Sequence, residues 1–83
     1  MRCVAYLHEH AYPYVVKDTV CNTVYELRTK QGITQEILAD ALGVSRQTVI
    51  AIERGNYAPS ILLALKIASF FKTSVEKIFT IHD

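Results

Sequence analysis

The stretch TQEILADALGVSRQTVIAIERG, Thr34 to Gly55, contains two short helical patterns separated by a turn at Leu42-Gly43-Val44. Thr34 is placed to cap the first helix, where Leu38, Ala39 and Leu42 recur at the spacing of a buried face. Gly43 ends that helix and Val44 plugs the turn. Ser45 caps the next helix, whose buried side is Val49 and Ile52, and Gly55 closes it. Two helices joined by a three-residue turn around a glycine cross at a steep angle, so the second protrudes from the base formed by the rest.

Upstream, Thr23-Val-Tyr-Glu26 matches a capping box and starts a helix that runs to about Gln31 and stops at Gly32, with Val24 and Leu27 facing the core. Downstream, Asn56-Tyr57-Ala58-Pro59 cannot continue a helix. Ser60 caps a fourth helix with Ile61, Ala64, Leu65, Ala68 and Phe71 on one predicted face. A fifth follows Thr73-Ser74, with Glu76 placed for a second capping box and Val75, Ile78 and Phe79 as core residues. The expectation is an all-α, compact five-helix domain over residues 22–79, an N-terminal extended segment over 1–21 and a C-terminal tail over 80–83. The alternation Val4, Tyr6, His8 and then Tyr12, Tyr14, Val16 is strand-like, and Pro13 limits it to an edge or an irregular extended run. Phe79-Thr80-Ile81 is short and β-prone; pairing with the N-terminal segment, a dimer contact and a frayed tail are all open to it.

Eighty-three residues, 51% hydrophobic and 20% charged, suit one small core and leave no room for a second one with a catalytic cleft, so no enzyme is expected. No apolar run approaches the roughly 18 residues of a membrane span, and the expected location is cytoplasmic. Cys3 and Cys21 are too few for a disulfide framework and are expected as free thiols in a reducing compartment. Cys3, His8, His10 and Cys21 match no standard zinc spacing, so neither metal nor cofactor is expected.

The net charge is only +1, so local placement must carry any nucleic-acid function. With Val49 and Ile52 buried, Arg46, Gln47, Ile50 and Ala51 point outward near the start of the helix. Arg46 can bond guanine in bidentate fashion, Gln47 can pair with adenine, and Ile50 can lie against a thymine methyl in a major groove wide enough for a helix. Gln35 opens the preceding helix, where backbone amides and the helix dipole can hold a phosphate. Ser45 and Thr48 at the helix start, and Arg54, Asn56 and Tyr57 at its exit, are candidates for orienting the domain on the DNA backbone.

Glu26-Leu27-Arg28, Gly32-Ile33-Thr34-Gln35, Leu38-Ala39, Leu42-Gly43-Val44-Ser45, Gln47-Thr48-Val49, Ile52-Glu53 with Gly55, Pro59-Ser60 and Ile67-Ala68 together resemble the lambda-repressor-like, Cro-type helix-turn-helix family of bacterial and phage regulators. The resemblance covers residues 22–79. It implies a homodimer on a roughly palindromic double-stranded DNA operator, with the third helix of each protomer in successive major grooves. It further implies that Gln35 and Arg46 cooperate at the DNA surface, and that Arg28 pairs with Glu53 as a structural ion pair. The chain departs from the family with Ile37, Ile50 and Leu62 at usually polar positions and Lys72 where glycine is frequent. The N-terminal segment is therefore expected to fold over Ile37 and Leu62, in its own protomer or a partner's. The function read here is a sequence-specific transcriptional regulator, most simply a repressor. The alternative is an antitoxin-like module that holds a protein partner and autoregulates through DNA.

Overall fold

A computed structural model describes the backbone of residues 2–7 and 17–82 and the side chains of residues 20–81. In chain order the elements are β1 (Arg2–Leu7), β2 (Lys17–Asn22), α1 (Val24–Lys30), α2 (Gln35–Leu42), α3 (Arg46–Glu53), α4 (Ile61–Phe70), α5 (Val75–Ile78) and β3 (Phe79–His82). The five expected helices are present. The expectation of an all-α fold is corrected by a three-stranded antiparallel sheet of order β1-β2-β3. The residues expected as a C-terminal tail lie mostly within β3, which sets Phe79 opposite Asn22 and Thr80 opposite Cys21. Of the arrangements open to Phe79-Thr80-Ile81, pairing with the N-terminal segment is the one formed. The readings at His8, His10, Tyr12, Pro13, Tyr14 and Val16 fall outside the described residues.

The helices start and stop largely where the sequence places them. Thr34, Ser45 and Ser60 each accept a hydrogen bond from the amide three residues on, at 3.1, 3.2 and 3.2 Å. Gly43 ends α2 at φ +72°, with its own amide donating to Asp40 and that of Val44 to Ala39. Lys72 takes the same left-handed geometry after α4, at φ +57°, and its amide and that of Thr73 donate to Ser69 and Ala68. A side chain there costs ~1–2 kcal/mol, the physical reason for the glycine that the resemblance led one to expect at this point.

Two capping assignments are corrected. The Thr23 side chain makes no cap bond; Asn22 Oδ1 accepts from the Val24 amide instead, at 3.1 Å, while the Thr23 amide donates to Ile78. Ser74 makes no side-chain cap bond at α5. Both helices are short and are fixed by the β2–α1 and α5–β3 junctions, so tertiary contacts replace the local box.

The core comprises Val24, Leu38, Ala39, Leu42, Val49, Ile52, Leu63, Ile67, Ala68, Phe71 and Ile78, with Leu27, Ile33, Val44, Phe70, Val75 and Phe79 packed against it. On α4 the buried face is Leu63, Ala64, Ile67 and Ala68, continued by Phe71, whereas Ile61 and Leu65 face solvent at 80% and 54% exposure. The expected face was wrong at those two residues. In ILLALKIASF nearly every position is apolar, so periodicity leaves the buried side undetermined and packing against α2 and α5 chooses it.

The expected pair of free thiols is also corrected, since Cys21 is disulfide-bonded and 1% exposed. Cys3, the only other cysteine of the chain, stands opposite it in the β1–β2 register. Directly opposed residues of an antiparallel pair have the Cα separation that a disulfide spans. Finally, Ile37 and Leu62 remain 51% and 65% exposed, so no described residue of the same chain provides the cover expected of the N-terminal segment.

Candidate nucleic-acid interface

Helix α3, packed on α2 through Val49 and Ile52, is further tied to the rest of the domain through Glu53 in its last turn. Glu53 is 3% exposed. Its carboxylate accepts from Arg28 Nε at 2.5 Å and Nη2 at 3.1 Å, and from Gln35 Nε2 at 3.1 Å. Arg28 Nη1 donates to the Ile33 carbonyl at 2.8 Å, and the guanidinium lies 5.4 Å from the centre of the Tyr25 ring. The hydrogen bond to Glu53 raises the Arg28 pKa above its already high ordinary value against the opposing effect of burial. One carboxylate thus ties α1, α2 and α3 together. A bidentate arginine–carboxylate fork fixes direction as well as distance.

A second anchor was not expected from the sequence. Asn22, 2% exposed at the end of β2, donates from Nδ2 to the Ile52 carbonyl at 3.0 Å while its Oδ1 caps Val24. One side chain therefore connects the sheet, the start of α1 and the end of α3. An asparagine preceding a threonine that itself looked like the cap gave no signal of this.

The outward residues divide by position. Arg46 and Gln47 are exposed in the first turn of α3, while Ile50 and Ala51 are half-buried. Arg46 lines one depression with Thr34, Gln35 and Glu36 at the start of α2. Gln35 does not project freely there as expected, because its amide is committed to Glu53. What remains to meet an anion is the start of α2 itself, whose first amides precede the bond from Leu38 to Thr34. Ser45 and Thr48 are bound to each other, hydroxyl to hydroxyl at 3.0 Å, as well as through the cap. Arg54 and Asn56 are exposed beyond α3, and Arg54 lines a depression with Tyr25, Gln35 and Glu53. Tyr57, 42% exposed, shares a third depression with Thr48, Leu62 and Lys66. Lys66 is a cation absent from the expected set; the packing of α4 against α2 brings it to this edge.

The helix-turn-helix family model matches residues 24–78. The chain belongs to the Cro-type helix-turn-helix family of transcriptional regulators. It is 50% identical over 62 residues to the HTH-type transcriptional regulator YgzD of Bacillus subtilis, covering 75% of this chain and 94% of that protein. An HTH-type regulator of Methanocaldococcus jannaschii is 53% identical over 62 residues with the same coverage. The phage repressor RstR of Vibrio cholerae is 27% identical over 55 residues, 66% of this chain and 50% of the repressor. Among solved structures, the restriction-modification controller protein C.AhdI of Aeromonas hydrophila superposes with a TM-score of 0.60 at 35% identity, over 65% of this chain and 82% of that one. In this helix-turn-helix regulator α2 and α3 are therefore the pair that characterises a family of DNA-binding proteins, and no helix among the described residues is long and apolar enough to cross a membrane.

Proposed function

We propose that this regulator binds a specific, roughly palindromic DNA operator as a homodimer in the cytoplasm and represses by occupying it. Residues 22–79 are the DNA-binding unit and residues 1–21 an added element. The observation that carries the reading is the exposure of Arg46 and Gln47 at the start of a helix whose far end is fixed by Arg28, Gln35 and Asn22. Arg46, Gln47, Ile50 and Ala51 read base edges. The start of α2 at Gln35, together with Ser45, Thr48, Arg54, Asn56 and Tyr57, contacts phosphates. Amide dipoles and a few local cations do here what a broad basic patch does elsewhere, which reconciles DNA binding with a net charge of +1. Repression is supported by the likeness to RstR, named as a repressor.

The homodimer rests on α4. Ile61, Leu62 and Leu65 are 80%, 65% and 54% exposed on one ten-residue helix. A contiguous apolar patch of this kind on a small soluble domain marks an interaction surface, and an isologous pair of such patches places two α3 helices about a two-fold axis. Leu65→Glu is expected to give a monomer by sedimentation velocity with unchanged helix content, and to bind DNA as single half-sites; a dimer surviving this change rules out α4 as the interface.

On a duplex selected by the protein, Arg46→Ala is expected to cost ~1–3 kcal/mol and to relax the preference at one position per half-site. Arg54→Ala is expected to weaken all sequences alike and to reduce the salt slope by about one per protomer. If Arg46→Ala instead acts on all sequences equally, Arg46 is a phosphate contact and the base-reading assignment is wrong.

A further inference from the structure

We infer that Cys3 and Cys21 form a thiol–disulfide site which exchanges with low-molecular-weight thiols and passes its state to α3 through Asn22. The proposal rests on the DNA-binding reading above for its consequence, but not for its chemistry. Cys21 is disulfide-bonded, and the register sets Cys3 directly across from it. A DNA-binding regulator works where low-molecular-weight thiols keep cysteines reduced, and disulfides found there are mostly transient and redox-sensing rather than permanent staples. The position of this one in the fold argues for such a role. Among the described residues β1 is an edge strand paired only with β2, and the disulfide cross-links the two strands. The residue after Cys21 is Asn22, whose side chain holds the last turn of α3 and the first turn of α1.

The exchange balances without any group from outside the named reactants. A thiolate of the small thiol attacks one sulfur of the disulfide, giving a mixed disulfide and one cysteine thiolate. A second small thiolate attacks the mixed disulfide, releasing the oxidised small disulfide and the other cysteine thiolate. The two protons of the small thiols end on Cys3 and Cys21, and the two electrons have moved to the protein. The Cys21 side of the bond is closed to solvent at 1% exposure, so attack on that sulfur requires the β1–β2 pair to open. In the reduced chain the β1–β2 pair keeps its ladder but loses the covalent cross-link. The end of β2 then fluctuates more, and with it Asn22 and the turn of α3 that leads into Glu53 and Arg54.

The test compares oxidised, reduced and Cys3→Ser protein by amide hydrogen exchange without DNA, by titration in glutathione buffers, and by affinity for a selected duplex. Reduction is expected to speed exchange of the β1–β2 amides by about a hundredfold, the scale set by freeing a loop of this length. The Val24 amide and the residues from Ile52 to Asn56 should exchange faster in the same protein, Cys3→Ser should match the reduced form, and duplex affinity should fall about five- to tenfold. A disulfide that stays closed at the glutathione ratio of the cell interior is a staple and overturns the switch. Equal exchange at Val24 and Ile52 to Asn56 in both forms overturns the coupling through Asn22. Loss of duplex binding in both forms, with the exchange differences intact, counts against the DNA reading alone.

Discussion

Glu53→Ala is expected to lower the stability of this domain by ~3–5 kcal/mol, as is Arg28→Ala, because each leaves a buried charge without its partner. The side chains of Arg28 and Glu53 are only 11% and 4% exposed, so water cannot replace what is removed. With Glu53 gone the guanidinium keeps the Ile33 carbonyl and the Tyr25 face, neither of which carries a full negative charge. Gln35 also loses its acceptor. Set against a total stability of roughly 5–15 kcal/mol for ordinary domains, this leaves a protein of 83 residues close to its unfolding midpoint. Urea unfolding followed by circular dichroism measures it as a fall in midpoint at constant slope. Replacing both residues with apolar ones, as in Arg28→Met with Glu53→Leu, should cost less than either alanine change, since no stranded charge remains. A loss below about 1 kcal/mol for Glu53→Ala would match an exposed pair and contradict the place given to Glu53 as the tie among three helices.

Asn22→Ala should follow closely in size. It strands the Val24 amide and the Ile52 carbonyl in the interior, at ~1–3 kcal/mol for each buried polar group left without a partner. Asn22→Asp separates the two bonds. The carboxylate can still accept from Val24 but faces the Ile52 carbonyl with no donor at pH 7, so it should destabilise while keeping α1 capped. If the Asn22→Asp variant proves as stable as the original by urea unfolding, the bond to Ile52 contributes nothing to holding α3.

The two anchors differ in how far they were legible in the sequence. The helices were, because Thr34, Ser45 and Ser60 are local caps and Gly43 a local stop, and local signals survive folding. Arg28 and Glu53 were legible through the resemblance, being 25 residues apart with nothing in spacing alone to pair them. Asn22 was not, because its partners are supplied by a strand–helix junction and by the far end of α3. The sheet was only half legible: the N-terminal alternation reads as extended, but pairing with β3 depends on where α5 delivers Phe79. The cysteine pair was missed for the same reason, since opposition across strands is a matter of register rather than of spacing. On α4 the nearly all-apolar sequence concealed which side is buried, and the residues misassigned to the core, Ile61 and Leu65, are those now proposed to meet a second protomer.

The measurement that bears most directly on the central claim is selection of bound sequences from a pool of random duplexes by the oxidised, wild-type protein. The expected product is an inverted pair of half-sites with centres about one helical turn, ~34–36 Å, apart, whose enrichment is lost at one position per half-site with Arg46→Ala. A pool that shows no enriched sequence, or only an unpaired half-site, contradicts a homodimer reading its operator with α3.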